Sequence, residues 1–179
     1  MLFNLWFPQW VNEGEHRRNG AYFEGMPHRP TYLQATIRFN DTCRYNLENR
    51  DQYDWNKLIG LFDGFFNNPR SVRWGWRWSM DNNSLEIAPY IHHEGKIILP
   101  QESQIISVPL NQAITVSIQI TPEGYVYKYF CNGNTIEKSV TLDLTNTYQG
   151  DCYLDTLYFG GSSPAPHQVV VEYRQVIVT

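Results

Sequence analysis

The chain has 179 residues, a net charge of −4, 15% aromatic residues and 18% charged residues. This length is typical of a single domain with a substantial core, and the aromatic-rich, charge-poor composition favours an all-β domain over a helical bundle or a disordered chain. The negative charge and the lack of a long basic run argue against nucleic acid as a partner. No apolar stretch is long enough to span a bilayer, so a membrane-spanning helix is not predicted.

The first thirty residues give few structural signals. Residues 1–8 lack the basic region and the small-residue cleavage site of a signal peptide, so the sequence does not assign a localisation, and an extracellular or cell-surface protein stays open. Residues 8–30 are rich in Pro, Gly, Asn and charge. We therefore predict one domain over 1–179, with a loop-rich entry segment at 1–30 and the core at 31–179.

About ten short strands follow, separated by turn signals such as Asp81-Asn82-Asn83 and Pro122-Glu123-Gly124. Regular spacing of short strands with almost no helical periodicity predicts an all-β fold, an antiparallel β-sandwich of the jelly-roll type. The predicted strands are 31–39, 57–62, 71–79, 84–92, 96–99, 104–110, 113–120, 125–130, 153–159 and 168–178.

The strand at 71–79 contains the run Arg-Trp-Gly-Trp-Arg-Trp at 73–78. Alternate side chains of a strand point to opposite faces, so the three tryptophans share one face and the two arginines share the other with Gly75. The strand at 84–92 alternates in the same way. The predicted inward set is Val72, Trp74, Trp76, Trp78, Leu85, Ile87, Pro89 and Ile91. Because the tryptophans are then core, we expect Trp76→Ala to damage folding.

The opposite face of this hairpin is the candidate ligand surface, with Arg73, Arg77, Glu86, Tyr90 and His92. The planar guanidinium group suits a carboxylate, and a glycine between the two arginines leaves backbone accessible. A second interpretation stays open, because the outer face of any antiparallel sandwich is polar and the glutamate can pair with either arginine across the strands. On the first interpretation, Arg77→Ala should leave folding intact and test function alone.

Other residues carry two interpretations each. Tyr125, Tyr127 and Tyr129 form a row that could stack on sugars or pack as a core edge. His167 follows a proline and could be a ligand in a loop or bond to backbone.

The sequence predicts no metal site and no cofactor. Cys43, Cys131 and Cys152 lack metal-type spacing, which indicates single buried thiols, although one Cys131–Cys152 bridge stays open. His92 and His93 are adjacent and point to opposite strand faces, which disfavours a shared metal ion. The Asp-rich segment 41–54 lacks the spacing of an EF-hand, so a solvated loop is predicted over a calcium site.

Several short motifs carry a resemblance to a known family. They are Asn56-Lys57-Leu58-Ile59-Gly60, the strand from Ser71 to Arg77, Tyr90 with Gly95, Tyr158-Phe159-Gly160-Gly161 and Ala165-Pro166-His167. Together they resemble a bacterial family of concanavalin A-like jelly rolls of uncharacterised function, over most of residues 31–178. More distantly, the order Lys-Leu-x-Gly, Arg-x-x-Trp-Arg, Phe-Gly-Gly is similar to the polysaccharide-lyase and glucanase branch of that fold. The resemblance implies a groove across one sheet that binds extended glycans.

The chain also departs from the enzymes of that branch. The glucanase motif Glu-x-Asp-x-x-Glu is missing, and only Leu85-Glu86-Ile87-Ala88 surrounds the outward glutamate. Glycoside hydrolysis needs two carboxylates at a controlled separation. The Gln-Ile-His motif of alginate-type lyases is absent too. An enzyme is therefore not favoured; if the chain is one, it resembles a polysaccharide lyase or a glycoside hydrolase.

Three functions follow as hypotheses. The first is a non-catalytic carbohydrate-binding domain for an acidic glycan, in which Arg73 and Arg77 clamp carboxylates while Tyr90 or a tyrosine of the 125–129 row contacts the sugar. The second is a structural or assembly module of a larger surface or phage-like particle. The third is a polysaccharide lyase acting on uronic-acid polymers, with an arginine neutralising the carboxylate and with Tyr90 and His92 as acid and base. The oligomeric state is not predicted.

Overall fold

The computed structural model describes residues 5–20, 23–26, 29–63, 70–142 and 151–179. Within these ranges the chain is built from β-strands, with three short 3₁₀ helices at Asp41–Cys43, Arg50–Tyr53 and Glu102–Gln104. The strands are β1 Phe7–Val11, β2 Phe23–Met26, β3 Tyr32–Phe39, β4 Asn56–Asp63, β5 Arg70–Ser79, β6 Ser84–His93, β7 Lys96–Ile98, β8 Ile106–Val108, β9 Ile114–Thr121, β10 Gly124–Cys131, β11 Asn134–Thr141, β12 Cys152–Asp155 and β13 Val169–Val178.

The described strands form two antiparallel sheets. The six-stranded sheet has the order β1-β13-β3-β9-β10-β11, and the seven-stranded sheet has the order β2-β12-β4-β5-β6-β7, with β8 also paired to β6. Each sheet presents one apolar face to the other. The prediction of an antiparallel jelly-roll sandwich is confirmed. None of the helices in the described part of the chain has the length and hydropathy needed to cross a bilayer.

The core lies between the sheets and is centred on the tryptophans of β5. The register pairs Val72 with Ile91 and Trp76 with Ile87, as alternation predicts. The indole N–H of Trp74 donates across the sandwich to the carbonyl of Ser117 on β9, at 3.1 Å. Because the tryptophan faces are buried between two sheets, the predicted inward set of this hairpin is confirmed.

The entry segment holds more structure than its composition indicated. Strand β1 pairs with β13 and strand β2 pairs with β12, so this segment adds an edge strand to each sheet. Edge strands tolerate Pro8 and Gly25, which argue against a strand only in the middle of a sheet. Strand β11 was also missed, because it is an edge strand whose exposed side chains leave no clear apolar alternation.

Burial and contacts decide between the two interpretations given for the tyrosine row and for His167. Tyr125, Tyr127 and Tyr129 are 0–6% exposed and face the core, so the expectation that one of them contacts sugar is wrong and the core interpretation is confirmed. His167 lies 2.9 Å from the carbonyl of Thr42, which confirms the backbone-bonded interpretation. The three cysteines are free and buried, as predicted.

Candidate functional site

The outer face of the seven-stranded sheet carries all five residues predicted as a site. Strands β5 and β6 pair Arg73 with Tyr90 and Arg77 with Glu86, and His92 lies opposite Ser71. Paired residues of an antiparallel sheet point to the same face, so these side chains share one surface. Their exposure differs greatly, and exposure decides which of them a ligand can touch.

Arg73 lies below the surface. It is 1% exposed, and its Nε donates to Asp155 at 2.7 Å. Strand pairing explains this contact. Arg73 on β5 lies opposite Gly60 on β4, and Gly60 lies opposite Asp155 on β12. The arginine side chain crosses the glycine to reach the carboxylate. The expectation that Arg73 clamps a ligand carboxylate is therefore corrected: its carboxylate partner comes from the protein.

Arg77 and Glu86 form a second internal pair. The Nε of Arg77 donates to Glu86 at 2.9 Å, and the other carboxylate oxygen accepts from Asn82 at 2.7 Å. Glu86 is 1% exposed, so it cannot bind a ligand directly. The interpretation in which the glutamate pairs across the strands is confirmed. The expectation that Arg77→Ala leaves folding intact is corrected, since this change would leave a buried carboxylate without its cation.

The backbone at Gly75 is covered. A Cβ placed there would lie 3.1 Å from Tyr90 Cβ and 3.2 Å from the ring of Trp55. The same indole ring lies 4.5 Å from the guanidinium carbon of Arg77. The predicted bare patch between the two arginines is therefore wrong, because a tryptophan from the preceding loop fills it.

Lys57 supplies a further, half-buried cation of this face, and the sequence analysis missed it. A β-bulge in β4 pairs Lys57 with Gly75 and Ile59 with Trp74, so the extra residue turns the lysine to the outer face. Its ammonium lies 4.4 Å from the ring of Tyr158. Within the described ranges, no carboxylate forms an ion pair with it. Burial, together with the charge of Arg73, lowers the pKa of Lys57 to about 8.

Tyr90 and His92 lie side by side on β6. The hydroxyl of Tyr90 is 3.3 Å from the Nε2 of His92, and both side chains are half-buried. Burial, followed by the charges of Arg73 and Lys57, lowers the pKa of His92 to about 4. Burial raises the pKa of Tyr90. At neutral pH the pair is therefore a neutral imidazole beside a protonated phenol. We refer to Lys57, Tyr90, His92 and Tyr158 as the Lys57 cluster.

A pocket of about 540 Å³ adjoins this cluster, and Tyr90 belongs to both. Arg77 and Tyr90 of the sheet line it, together with four residues of the segment that follows β6. The rest of the lining comes from Tyr53, Asp54, Trp55 and Gly161. We refer to this space as the Tyr53 pocket. Loop side chains form most of it, which is why alternation along the strands did not indicate it.

Among the described residues, no group of three or more His, Cys, Asp or Glu side chains is arranged to hold a metal ion. In the Asp-rich segment 41–54, Asp51 accepts hydrogen bonds from Ser162 and Ser163. This carboxylate therefore ties the segment to the loop that follows β12.

Comparison with known proteins identifies relatives in fold only. No protein-family model matches the chain, and no curated protein matches it in sequence. Among solved structures, alginate lyase vAL-1 from Chlorella virus superposes with a TM-score of 0.55 at 11% identity, over 96% of this chain and 84% of that one.

A glycosidase superposes equally well on part of its length. The GH43 protein BlXynB from Bacillus licheniformis gives a TM-score of 0.59 at 8% identity, over 97% of this chain but 33% of that one. An alginate lyase of polysaccharide lyase family 7 gives 0.52 at 8% identity, over 94% and 64% of the two chains. These likenesses confirm the jelly-roll fold.

Proposed function

We propose that the protein binds an anionic polysaccharide, and that the Lys57 cluster contacts the acid groups. One observation carries the proposal. The side chain of Lys57 is half-buried on this face, and no carboxylate among the described residues pairs with its ammonium, whereas Arg73 and Arg77 are each committed to an internal carboxylate. A cation held beside aromatic rings without a partner is suited to an incoming carboxylate or sulfate.

The electrostatics of the cluster suit an anion. Burial and then the charge of Arg73 lower the pKa of Lys57, and Asp155 opposes them. An anionic ligand would offset the repulsion between the lysine and Arg73.

The aromatic side chains of the cluster suit a sugar. Tyr158 and Tyr90 are half-buried, and the ring of Tyr158 stacks on His16 at 5.8 Å between centroids, so we expect its hydroxyl to meet a sugar and the ring of Tyr90 to pack against one. Sugar rings stack on aromatic faces and their hydroxyls bond to phenols. The likeness in fold to two alginate lyases and to a GH43 protein supports a glycan as the ligand.

Calorimetric titration with oligosaccharides of alginate, polygalacturonate and neutral xylan tests this proposal. We expect an acidic oligosaccharide to bind, and Lys57→Met to weaken binding by about tenfold to a hundredfold, since a charge-assisted contact contributes about 1.5–3 kcal/mol. Lys138→Met is the matched control, because it removes the same charge from β11 of the other sheet. Equal loss in both variants, or no binding to any acidic glycan, would contradict the proposal.

The pH dependence gives a second readout. Because the pKa of Lys57 is about 8, affinity for an anionic oligosaccharide should fall as the pH rises from 7 to 9 and the ammonium loses its proton. The Lys57→Met variant should lack this fall. A wild-type affinity that stays flat over this range would show that another group carries the recognition.

A polysaccharide lyase is the second candidate, and the contact between Tyr90 and His92 favours it. In β-elimination, a base removes the C5 proton of a uronate, the bond to the leaving oxygen breaks as a C4–C5 double bond forms, and an acid protonates that oxygen. The neutral imidazole of His92 would accept the proton, the phenol of Tyr90 would donate one, and Lys57 would neutralise the carboxylate.

The low pKa of His92 favours binding over catalysis. A pKa of about 4 makes His92 a weak base, and a good general base has a pKa near the working pH. Incubation with uronans should produce the absorbance of an unsaturated uronate if the lyase proposal holds, and His92→Ala should abolish it. No rise in absorbance over alginate and polygalacturonate removes this candidate and leaves the binding proposal standing.

A further inference from the structure

The Tyr53 pocket differs in chemistry from the Lys57 cluster that it adjoins. The wall formed by the segment that follows β6 is aliphatic, with Ile97, Leu99, Pro100 and Ile105 facing the space. Ile97 is 52% exposed and Leu99 is 66% exposed, so this wall is held open to solvent in the free protein. Exposed aliphatic side chains gain free energy when a ligand removes them from water, and a sugar hydroxyl placed against them would lose its hydrogen bonds.

The rest of the lining comes from Tyr53, Asp54, Trp55, Arg77, Tyr90 and Gly161. No described residue donates a hydrogen bond to the carboxylate of Asp54 or forms an ion pair with it. The charge of Arg77 is balanced by Glu86 at 2.9 Å. The described lining therefore offers no unpaired cation to a uronate, whereas neutral sugar hydroxyls could donate to Asp54.

We infer that the Tyr53 pocket binds a neutral sugar that carries a methyl group, as in a 6-deoxyhexose or an O-acetylated hexose. Its hydroxyl edge would face Asp54 and its methyl edge would face Ile97 and Leu99. The volume of about 540 Å³ falls within the range of small-molecule sites, about 300–1,000 Å³. The inference rests on the proposed function in one respect: the methyl-bearing sugar is taken to be linked, in the same glycan, to the acidic sugar that Lys57 contacts.

Tyr90 joins the two subsites. It lines the Tyr53 pocket, and its hydroxyl lies 3.3 Å from the Nε2 of His92 in the Lys57 cluster. A glycan that lies along this face would therefore place consecutive residues in an anion-binding and a methyl-binding position. The ligand class is a heteropolysaccharide that contains both acidic and methyl-bearing neutral sugars.

Two pairs of monosaccharides isolate the methyl group. L-rhamnose differs from L-mannose, and L-fucose from L-galactose, only by the lack of the C6 hydroxyl. In NMR titrations of the full chain we expect the deoxy member of at least one pair to bind about fourfold more tightly, the effect of burying one methyl group. We add methyl O-acetyl-mannopyranosides and their deacetylated parent as a third comparison, with the acetylated form expected to bind more tightly.

Variants assign the preference to the pocket. Leu99→Ser should remove the preference for the methyl-bearing sugar, whereas Val176→Ser, which changes a 40% exposed aliphatic residue on the other sheet, should retain it. Equal affinities within all three comparisons, or no detectable binding of any of these sugars, overturns the inference.

The outcomes for the two subsites are separable. Acidic oligosaccharides that bind through Lys57 without any methyl preference would support the proposed function and overturn the inference. Methyl-bearing sugars that bind through Leu99, in a protein that binds no acidic glycan, would support the pocket and remove the anionic part of the proposed function.

Discussion

Gly60 lies where the side chain of Arg73 crosses β4 on its way to Asp155. A Cβ at this glycine would lie 2.2 Å from the carbonyl oxygen of Val72 and 2.4 Å from Cγ of Arg73. The arginine stem is flexible but the carbonyl belongs to the β-ladder, so a methyl group here would move backbone. One glycine thus permits the internal ion pair that removes Arg73 from the ligand surface.

Gly60→Ala should therefore destabilise the fold by about 1–3 kcal/mol or more, the typical cost of overpacking a well-packed site. Gly25→Ala is the matched control, because its nearest contact would be an ordinary 3.6 Å to Tyr153. Urea unfolding of both variants measures the difference. Equal midpoints for the two variants would mean that the strands around Gly60 separate more easily than the packing indicates.

Arg77→Ala should also lower stability, since Glu86 is 1% exposed and would keep only the hydrogen bond from Asn82. Removing one partner of a buried pair costs about 3–5 kcal/mol, and we expect about 2–3 kcal/mol because the arginine is itself partly exposed. Adding Glu86→Gln to this variant should restore part of the loss, because a neutral amide is less costly to bury. A single variant as stable as the wild type would show that water replaces the arginine.

For individual residues, the sequence predicted which side chains share the candidate surface but not which partners those side chains contact. Alternation placed Arg73, Arg77, Glu86, Tyr90 and His92 on one face correctly, because strand geometry alone decides it. It offered the pairing of Glu86 with an arginine as one interpretation, but it could not show that Arg73 pairs with Asp155, which comes from a strand far along the chain. Lys57 was missed because a β-bulge in β4 changes the face to which its side chain points. The spacing of apolar residues in the sequence does not show where a bulge occurs.

At the scale of elements, the hairpin of β5 and β6 carries the core. Trp76 is fully buried and its ring lies 5.7 Å from Phe39 of the other sheet and 5.9 Å from Tyr45, measured between ring centroids. The sequence predicted this hairpin well, because both strands are long, strongly alternating and joined by a recognisable turn. The edge strands β1 and β2 were missed because they have only five and four residues, and β11 was missed because Lys138 interrupts the apolar alternation of its half-buried face.

Trp76→Ala should cost about 3–5 kcal/mol, a large part of the stability of a typical domain. Because this variant could fail to fold, Trp76→Phe provides a milder test, and its loss should be smaller. Phe130→Ala, at a residue 46% exposed, is the control and should change the free energy of unfolding by less than about 1 kcal/mol. Thermal or urea unfolding followed by far-UV circular dichroism ranks the three variants.

At the scale of the whole molecule, the three cysteines lie in separate elements of the sandwich. Cys43 lies in the first 3₁₀ helix, Cys131 ends β10 and Cys152 begins β12. Burial raises the pKa of Cys43 to about 12 and that of Cys152 to about 11. A thiol reacts as its thiolate, so burial and the raised pKa act together to protect both groups in the folded state.

The thiols therefore report how the sandwich opens. We expect three reactive thiols per chain after denaturation without reductant; a count of one would instead support the Cys131–Cys152 bridge.

In native buffer, labelling of Cys43 should be slower than in the denatured chain by about 10³-fold or more, if exposure requires an opening of about 5 kcal/mol. Cys152 should react before Cys43, because β12 pairs with the short edge strand β2, and opening that edge exposes it without unfolding the core. Mass spectrometry of timed alkylation gives both rates. Equal rates for the two thiols would mean that the edge and the core open as one cooperative unit.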